Sequence, residues 1–198
     1  MSADDAALVH RCLDGDADAF RELVERYQGA VHATAYYYVG RYSAAEDVAQ
    51  EAFLGAYRSL TRLREPARFG PWLREIACRT AANWLRRHGK QWDQETPLPF
   101  RRTLSIEDAR EGPRGLLERS ERYARVEMAI DSLPERYRLP VVLRYLQELS
   151  YQEIADFTGT TREEVRGILQ RAGRQLRDLL ADLDSSAEGE KGWHPAGK

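Results

Sequence analysis

Apolar residues recur at helical spacing through the first part of the chain. Leu23, Tyr27, Val31 and Ala35 follow one another at intervals of four, which places them on one face of a helix. With interruptions at turn residues, the same pattern predicts helices over residues 4–88.

Two later helices of this part are marked by their ends. Ser43 and Glu46 have the spacing of a capping box, which predicts a helix that begins there and runs to about Leu60. Pro71 suits the first turn of a further helix, because that turn needs no amide donor. We expect this further helix to end near Arg87.

Periodicity is lost over residues 89–118, where prolines and glycines cluster. A stretch of about 30 residues without a pattern is too long for an ordinary loop inside one compact domain. We therefore predict an all-α fold of two small helical domains joined by a flexible linker. The expected segments are 1–90 for the first domain, 91–118 for the linker, 119–184 for the second domain and 185–198 for a disordered tail.

A short helix, a tight turn and a longer helix are predicted late in the second domain. Ser150 and Glu153 form a capping box, Gly159 suits a left-handed helix end, and a threonine at 160 or 161 caps the next helix. One face of that helix is apolar: Val165, Ile168, Leu169, Ala172, Leu176, Leu179, Leu180 and Leu183. Its other face is rich in Arg and Gln, which is typical of a helix-turn-helix that enters the major groove. The alternative is an ordinary helical hairpin with a solvated face.

The charge of the chain becomes informative only when it is divided along the sequence. The whole chain has 30 basic and 32 acidic residues, and a net charge of −2 argues weakly against nucleic-acid binding. Residues 61–90, however, hold eight basic and two acidic side chains, and residues 162–177 hold five and two. Both basic islands are candidates for phosphate contacts, and two solvated helix faces are the alternative.

The helix predicted over residues 44–60 has two different faces. One face is apolar and is expected in the core: Ala49, Ala52, Phe53, Ala56 and Leu60. The other, which we call the docking face, is polar without uniform charge: Asp47, Gln50, Glu51, Leu54 and Arg58. Such a mixed surface suits a protein partner and suits plain solvent exposure equally well.

The helix that follows has basic residues on its outer side, and further arginines precede it. We call this set the basic stripe: Arg62, Arg64, Arg68, Phe69, Arg79, Asn83, Arg86 and Arg87. Basic residues beside exposed rings suit single-stranded nucleic acid, because phosphates are neutralised while bases stack. The alternative for Phe69 and Trp72 is a place in the core.

The sequence offers no arrangement suited to catalysis or metal binding. Its four histidines are scattered, its two cysteines are far apart, and no phosphate-cradling glycine loop is present. No apolar run is long enough to cross a bilayer, and the acidic start is unlike a secretory signal. We therefore expect a cytoplasmic, non-enzymatic protein without a cofactor or metal ion.

Several segments, in this order and at this separation, resemble a known family. The segments DVAQEAFLGAYRSL (47–60) and RFGPWLREIACRTAANWLRR (68–87) precede the predicted linker, and LPERYRLPVVLRYLQELSYQEIA (133–155) follows it. Over roughly residues 5–183 the chain resembles bacterial sigma factors of the extracytoplasmic-function (ECF) group of the sigma-70 family. These small factors keep conserved regions 2 and 4, which implies promoter-specific transcription initiation with core RNA polymerase.

The resemblance implies a role for each surface. The docking face matches the part that binds the β′ coiled coil of polymerase, and residues near 139–149 and 172–183 match the part that binds the β flap. The basic stripe matches the part that melts and captures the −10 promoter element. The −35 element is matched by a set that we call the recognition face: Thr161, Arg162, Glu163, Arg166, Gly167, Gln170, Arg171 and Arg174.

The resemblance also implies an anti-sigma factor that covers the polymerase-binding surfaces, and a chain that is monomeric when free of partners. The chain departs from the family at Arg79, where Asn is usual, at Asn83, where Asp is usual, and at Ile168. These positions bear on DNA contact. The alternative function is a stand-alone helix-turn-helix regulator with a helical sensor domain, which would bind duplex operator DNA without polymerase.

Overall fold

The computed structural model describes residues 3–40, 42–95, 125–126 and 128–191. Over these residues the regular elements are helices and short 3-10 turns, which confirms the all-α prediction. The first group comprises α1 (Ala3–Leu13), α2 (Ala17–Val39), α3 (Tyr42–Ser59), 3-10 turns at Leu60–Arg62 and Pro66–Arg68, and α4 (Phe69–Glu95). The second group comprises α5 (residues 128–132), α6 (Glu135–Leu146), α7 (Tyr151–Thr158) and α8 (Arg162–Lys191).

Helix ends differ from the predicted ones at three places. Helix α3 begins at Tyr42, so Ser43 lies inside its first turn instead of capping it. Helix α4 begins at Phe69 and continues to Glu95, past the predicted start of the linker, because the residues after Arg87 include no proline before position 97.

The tail is the third difference, since we expected disorder from residue 185 and helix α8 continues to Lys191. Alanine, glutamate and lysine in this stretch favour helix, and one glycine costs only about 1 kcal/mol. Residues 192–198 and residues 96–124, which include most of the predicted linker, lie outside the described residues.

The first group of helices packs around a shared apolar core. Helices α2, α3 and α4 contact one another, and Leu23, Val31, Ala52 and Leu73 are fully buried between them. Helix α1 is anchored by Asp5, whose buried carboxylate accepts hydrogen bonds from Arg26 and, at 2.5 Å, from the hydroxyl of Tyr27. Burial among these groups raises the pKa of Tyr27 far above its usual range, so the phenol stays protonated.

The second group is a compact helix-turn-helix supported by α6. Phe157 and Ile154 of α7 and Val165 of α8 are fully buried, and they pack with Leu143 of α6. Helix α8 contacts both α6 and α7. The predicted apolar face of α8 therefore builds this core through Val165, Leu169 and Ala172, which are buried, while Ile168, Leu176 and Leu179 are partly buried.

The two groups of helices share one apolar core. Helix α2 contacts α6, and helix α4 contacts α7. Buried residues of both groups belong to one cluster, in which Tyr27 of α2 lies 6.1 Å from Phe157 of α7, ring centre to ring centre. The sequence predicted two linked domains and gave no sign of this contact.

Candidate polymerase and nucleic-acid interfaces

Helix α3 presents the docking face to solvent. Its apolar positions, including Val48, Ala52 and Ala56, are buried against α2 and α4, which fixes the opposite side outward. All five residues of the docking face are exposed, and Leu54 keeps 49% of its surface accessible. A singly exposed leucine is ordinary on a protein surface, so Leu54 by itself fits a partner protein and plain solvation alike.

Tyr57 extends the docking face, and the sequence analysis missed it. Its ring is 52% exposed and makes an edge-to-face contact with Phe20, with ring centres 4.9 Å apart. Tyr57 follows Leu54 by three positions and Gln50 by seven, so helical spacing alone could have found it. Aromatic residues are enriched where proteins bind each other.

An ion pair joins the docking face to the basic stripe. A guanidinium nitrogen of Arg87 lies 3.4 Å from the carboxylate of Glu51, and both side chains are more than half exposed. An exposed pair of this kind contributes between about 0 and 1 kcal/mol to stability. Because the pair is so weak, removing Arg87 should leave the docking face itself unchanged.

The arginines of the basic stripe lie on the surface. Arg62, Arg64 and Arg68 are exposed on the turns between α3 and α4, and Arg79, Arg86 and Arg87 are exposed on α4 itself. Asn83 is partly buried, and its side-chain oxygen accepts a hydrogen bond from Arg86. The arginines of the predicted stripe are therefore accessible to a ligand, both on the turns before α4 and along α4.

The prediction that Phe69 belongs to the basic stripe is wrong, because Phe69 is completely buried. Its ring contacts those of Phe20, Tyr27 and Trp72, with centres 6.5, 5.6 and 5.9 Å away. A side chain enclosed in this way supports the start of α4 and has no surface for a base to stack on. Trp72 is partly buried and packs against the same core.

A different aromatic pair lies beside the basic stripe. The indole of Trp84 stacks on the imidazole of His88, with ring centres 4.6 Å apart, and His88 is exposed next to Arg87. No role for either ring was predicted from the sequence. Their separation of four residues on a helix was the signal that could have paired them.

The helix-turn-helix is capped as its sequence predicted. Ser150 and the backbone of Glu153 form a complete capping box at the start of α7, and Gly159 ends α7 with φ of 73°. Of the two candidate threonines, Thr161 caps α8, because its hydroxyl accepts from the amide of Glu164 at 3.2 Å. The carboxylate of Glu164 accepts from the amide of Thr161 in return, which lowers the pKa of Glu164.

The recognition face of α8 points away from the core. All of its residues are exposed except Gly167, which is partly buried. Arg171 is also held within the protein, since it lies over the ring of Tyr137, and its hydrogen bond lowers the pKa of that phenol.

The mid-helix glycine at position 167 lies beside an arginine. A Cβ atom there would lie 3.2 Å from a guanidinium nitrogen of Arg171, the flexible end of an exposed side chain. A small shift of that side chain would accommodate the atom, so packing in the free protein does not require glycine at this position.

Metal binding and membrane spanning can also be judged from the described residues. Among the described residues, no group of three or more His, Cys, Asp or Glu side chains could hold a metal ion. No helix in the described part of the chain is both long and apolar enough to span a membrane.

The fold and its exposed faces define the class of all-helical proteins with a DNA-binding helix-turn-helix. Residues 23–91 match the family Sigma-70 region 2, and residues 129–178 match Sigma-70, region 4. Together these matches cover more than half of the chain, which therefore belongs to the sigma-70 family. The predicted resemblance is confirmed.

Relatives of similar length place the chain within one group of that family. It is 36% identical over 187 residues to the ECF RNA polymerase sigma-E factor of Escherichia coli K12, covering 90% of this chain and 95% of that protein. It is 33% identical over 190 residues to the ECF RNA polymerase sigma-E factor of Haemophilus influenzae, covering 90% and 96%. The chain is an ECF sigma factor, which binds core RNA polymerase and promoter DNA in transcription initiation, and the stand-alone regulator is not favoured.

A solved structure has a similar fold. The structure of CnrH in complex with the cytosolic domain of CnrY matches with a TM-score of 0.55 and 23% sequence identity, covering 90% of this chain and 98% of that chain. At this level of identity the match supports the fold and not a particular partner.

Proposed function

We propose that the three surfaces have three separate binding roles in a sigma factor. The docking face binds core polymerase, the basic stripe binds the −10 element, and the recognition face binds the −35 element. The supporting observation is that α3, α4 and α8 each bury one apolar side and leave the matched polar side exposed. Each surface can therefore be changed without altering the core, and each role can be tested separately.

The docking face binds the β′ coiled coil of core polymerase. Exposed Leu54 and Tyr57 give it an apolar centre, and Asp47, Gln50, Glu51 and Arg58 surround that centre with polar groups. An apolar centre with a polar rim is the usual anatomy of a protein interface.

The β flap binds the second group of helices along an open groove of about 640 Å³. Tyr145, Tyr151, Leu169 and Arg177 line the groove, and Gln170 and Arg174 of the recognition face also line it, so the flap surface adjoins the recognition face. Tyr145 is 63% exposed and the neighbouring Leu146 is 46% exposed, so apolar surface is available to a partner. Tyr145, Arg174 and Arg177 lie in the segments that the family resemblance matched to the flap, whereas Tyr151 and Leu169 lie a few residues outside them.

The basic stripe, apart from Phe69, holds the non-template strand of the −10 element. Its exposed arginines neutralise phosphates, and a base that leaves the stack is trapped by the protein, which offsets an unstacking cost of a few kcal/mol. The protein acts by binding and catalyses no reaction, so it is a transcription initiation factor and not an enzyme.

The recognition face reads the −35 element in the major groove. Arg and Gln side chains there can form paired hydrogen bonds with guanine or adenine edges, while the other arginines contact phosphates. The protein works in the cytoplasm as a monomer until it meets polymerase, and an anti-sigma factor covers its polymerase-binding surfaces when it is inactive.

The docking assignment is tested by the double change Gln50→Ala and Glu51→Lys. We expect the affinity for core polymerase, measured by fluorescence titration, to fall by at least about tenfold, or 1.4 kcal/mol. The thermal midpoint should stay within a few degrees, because both side chains are exposed.

Two controls separate docking from other effects of that change. Glu25→Lys makes the same charge reversal at an exposed site on α2, and Arg87→Ala removes the ion pair with Glu51 while leaving the docking face intact. Both should bind polymerase like the wild type. Equal affinity of the double variant and the wild type would remove Gln50 and Glu51 from the interface.

A further inference from the structure

The arginines of the basic stripe that precede α4 lie on the connection Leu60–Arg68, which we call the arginine loop. It consists of two short 3-10 turns joined by a segment with extended backbone at Leu63 and Glu65. The amide of Leu63 donates to the carbonyl of Leu60 at 3.0 Å, and the amide of Arg68 donates to the carbonyl of Glu65 at 2.8 Å. These local hydrogen bonds shape each turn, but the position of the loop on the protein depends on what packs against it.

Helix α1 is the main neighbour of the arginine loop outside the two helices that the loop connects. It packs most extensively against the second turn, Pro66–Arg68, and it also touches the first turn and α4. Leu8 and Val9 of α1 are buried in the same apolar cluster as Leu60, which begins the loop, and Phe69, which follows it. The loop is therefore supported by α1 as well as by α3 and α4.

One side of α1 is buried, and it includes a carboxylate. Asp5, Leu8, Val9 and Cys12 recur at helical spacing, and the first three are at most 2% exposed. An acidic side chain is rarely buried to this extent unless it is paired, because burial removes the water that stabilises its charge. The partners of Asp5 therefore bear directly on how α1 is held.

Asp5 binds two neighbouring residues of α2. Its carboxylate accepts hydrogen bonds from Arg26 and, at 2.5 Å, from the hydroxyl of Tyr27, and Arg26 also pairs with Asp4 at 2.5 Å. Apolar side chains tolerate small sliding movements, whereas charge-assisted hydrogen bonds need defined positions of donor and acceptor. The cluster around Asp5 therefore fixes the rotation of α1 about its axis and its position along α2.

The other end of α1 is attached to α2 by exposed ion pairs. A guanidinium nitrogen of Arg11 lies 2.7 Å from a carboxylate oxygen of Asp16, and another lies 3.2 Å from one of Glu22. Exposed pairs hold a helix weakly, while the loss of one partner of a buried pair leaves an uncompensated charge inside the protein. We therefore expect the position of α1 to depend on Asp5 more than on Arg11.

We propose that Asp5 is a positioning residue for −10 recognition: it holds α1 in register, and α1 holds the arginine loop where its arginines bind the strand selectively. The proposal rests on the proposed function, because it takes the basic stripe as the −10 site. Asp5 is buried and acts only through α1. A loop that is already in place loses little conformational entropy on binding, whereas a loose loop adapts to several sequences and discriminates less between them.

Two variants disturb α1 by different routes. Asp5→Asn removes the buried charge and nearly keeps the size of the side chain, so Arg26 loses its ion pair with this position. Val9→Ala removes two methyl groups from the buried side of α1. Val9→Ala keeps the test available if Asp5→Asn impairs folding, which the thermal midpoint of each variant shows.

Each variant has a matched control. Asp4→Asn is the same exchange at the preceding residue, which also pairs with Arg26 but whose side chain is 64% exposed. Val39→Ala is the same exchange at a buried position in a separate apolar cluster, together with Val48 and Ala81. We expect Val39→Ala to lower the thermal midpoint about as much as Val9→Ala, because the same buried methyl groups are lost, and to leave the arginine loop unchanged.

Amide hydrogen exchange of the free full chain reports on the arginine loop without DNA. We expect exchange over residues 61–68 to become at least about threefold faster in Asp5→Asn and Val9→Ala than in the wild type, because local opening becomes easier. Exchange of the same residues should stay unchanged in Asp4→Asn and Val39→Ala.

Selectivity is measured with holoenzyme and labelled single strands. The probes are the −10 strand of a promoter mapped by transcription with the wild-type holoenzyme and the same strand with one base replaced. We expect Asp5→Asn and Val9→Ala to reduce the ratio of the two affinities by about fivefold. Affinity for core polymerase should stay within about twofold, because the docking face lies on the exposed side of α3. A role in folding alone would not produce this difference between the two readouts.

The possible contradictions have distinct meanings. Unchanged exchange of the loop in folded variants would show that α1 does not hold it, and unchanged selectivity despite faster exchange would show that the loop position does not set selectivity. An equal loss of selectivity in Val39→Ala would assign the effect to general stability. Each of these results overturns the proposal and leaves the proposed function intact. A wild-type holoenzyme that does not distinguish the two strands would instead overturn the role of the basic stripe.

Discussion

Exposed arginines on the same helix differ in what their side chains already contact. Arg166 and Arg171 are both exposed on the recognition face, but Arg171 also lies over Tyr137 and hydrogen-bonds its phenol. A side chain held in this way is already oriented before DNA binds. It suits a phosphate of the DNA backbone, whose position does not depend on the base sequence. We therefore expect Arg171 to hold phosphate and Arg166 to read a base.

Arg166→Ala tests base reading at the level of one residue. We expect it to cost about 1–3 kcal/mol at the preferred −35 sequence and to reduce discrimination against a substituted base at one position. Competition between paired −35 sequences for holoenzyme measures this. Gln175→Ala, on the opposite exposed side of α8, is the control, and an even loss across all sequences would assign Arg166 to phosphate.

Arg79→Ala tests the basic stripe. We expect weaker binding of a single-stranded −10 oligonucleotide by holoenzyme, with the slope of log affinity against log salt reduced by roughly 0.7 for one lost phosphate contact. Arg21→Ala removes an exposed arginine from α2, outside the stripe, and should leave the slope unchanged. A wild-type slope in the Arg79 variant would exclude a phosphate contact there.

At the scale of elements, local signals predicted the structure well. The capping box at Ser150 and the glycine end at Gly159 follow from residues within four positions of each other. The next cap was narrowed to Thr160 or Thr161, of which the structure has Thr161, and the box predicted at Ser43 was wrong because α3 already begins at Tyr42. Phe69 was harder, because a ring next to arginines has the same pattern whether it is exposed or buried. Its burial depends on Phe20, Tyr27 and Trp72, which tertiary packing brings to it.

Ser150→Ala tests how much a cap contributes to the helix-turn-helix. Removing the hydroxyl leaves the amide of Glu153 without its partner, so we expect the free energy of unfolding to fall by about 1 kcal/mol. Urea denaturation measures the change. Ser150→Asp should recover most of the loss, because Asp also caps helices well. A Ser150→Ala variant as stable as the wild type would show that the cap adds nothing.

At the scale of the whole molecule, the sequence predicted the two regions and their order but not their contact. Periodicity identifies which side of a helix is apolar, and it does not reveal which distant helix covers that side. The glycines at positions 70 and 29 did not indicate this contact, because a glycine in a helical sequence has the same pattern whether or not another helix lies against it. The net charge of −2 likewise does not indicate the two basic islands. One lies on α4 and the turns before it, and the other lies on α8.

The central claim is that this chain directs core polymerase to promoters through three separate surfaces. In vitro transcription on genomic DNA with purified core polymerase tests it most directly, with the docking, stripe and recognition variants beside the wild type. We expect discrete promoter-specific transcripts from the wild type and weaker transcripts from each variant. No specific transcript with polymerase, together with a footprint of the protein alone on duplex DNA, would contradict the account.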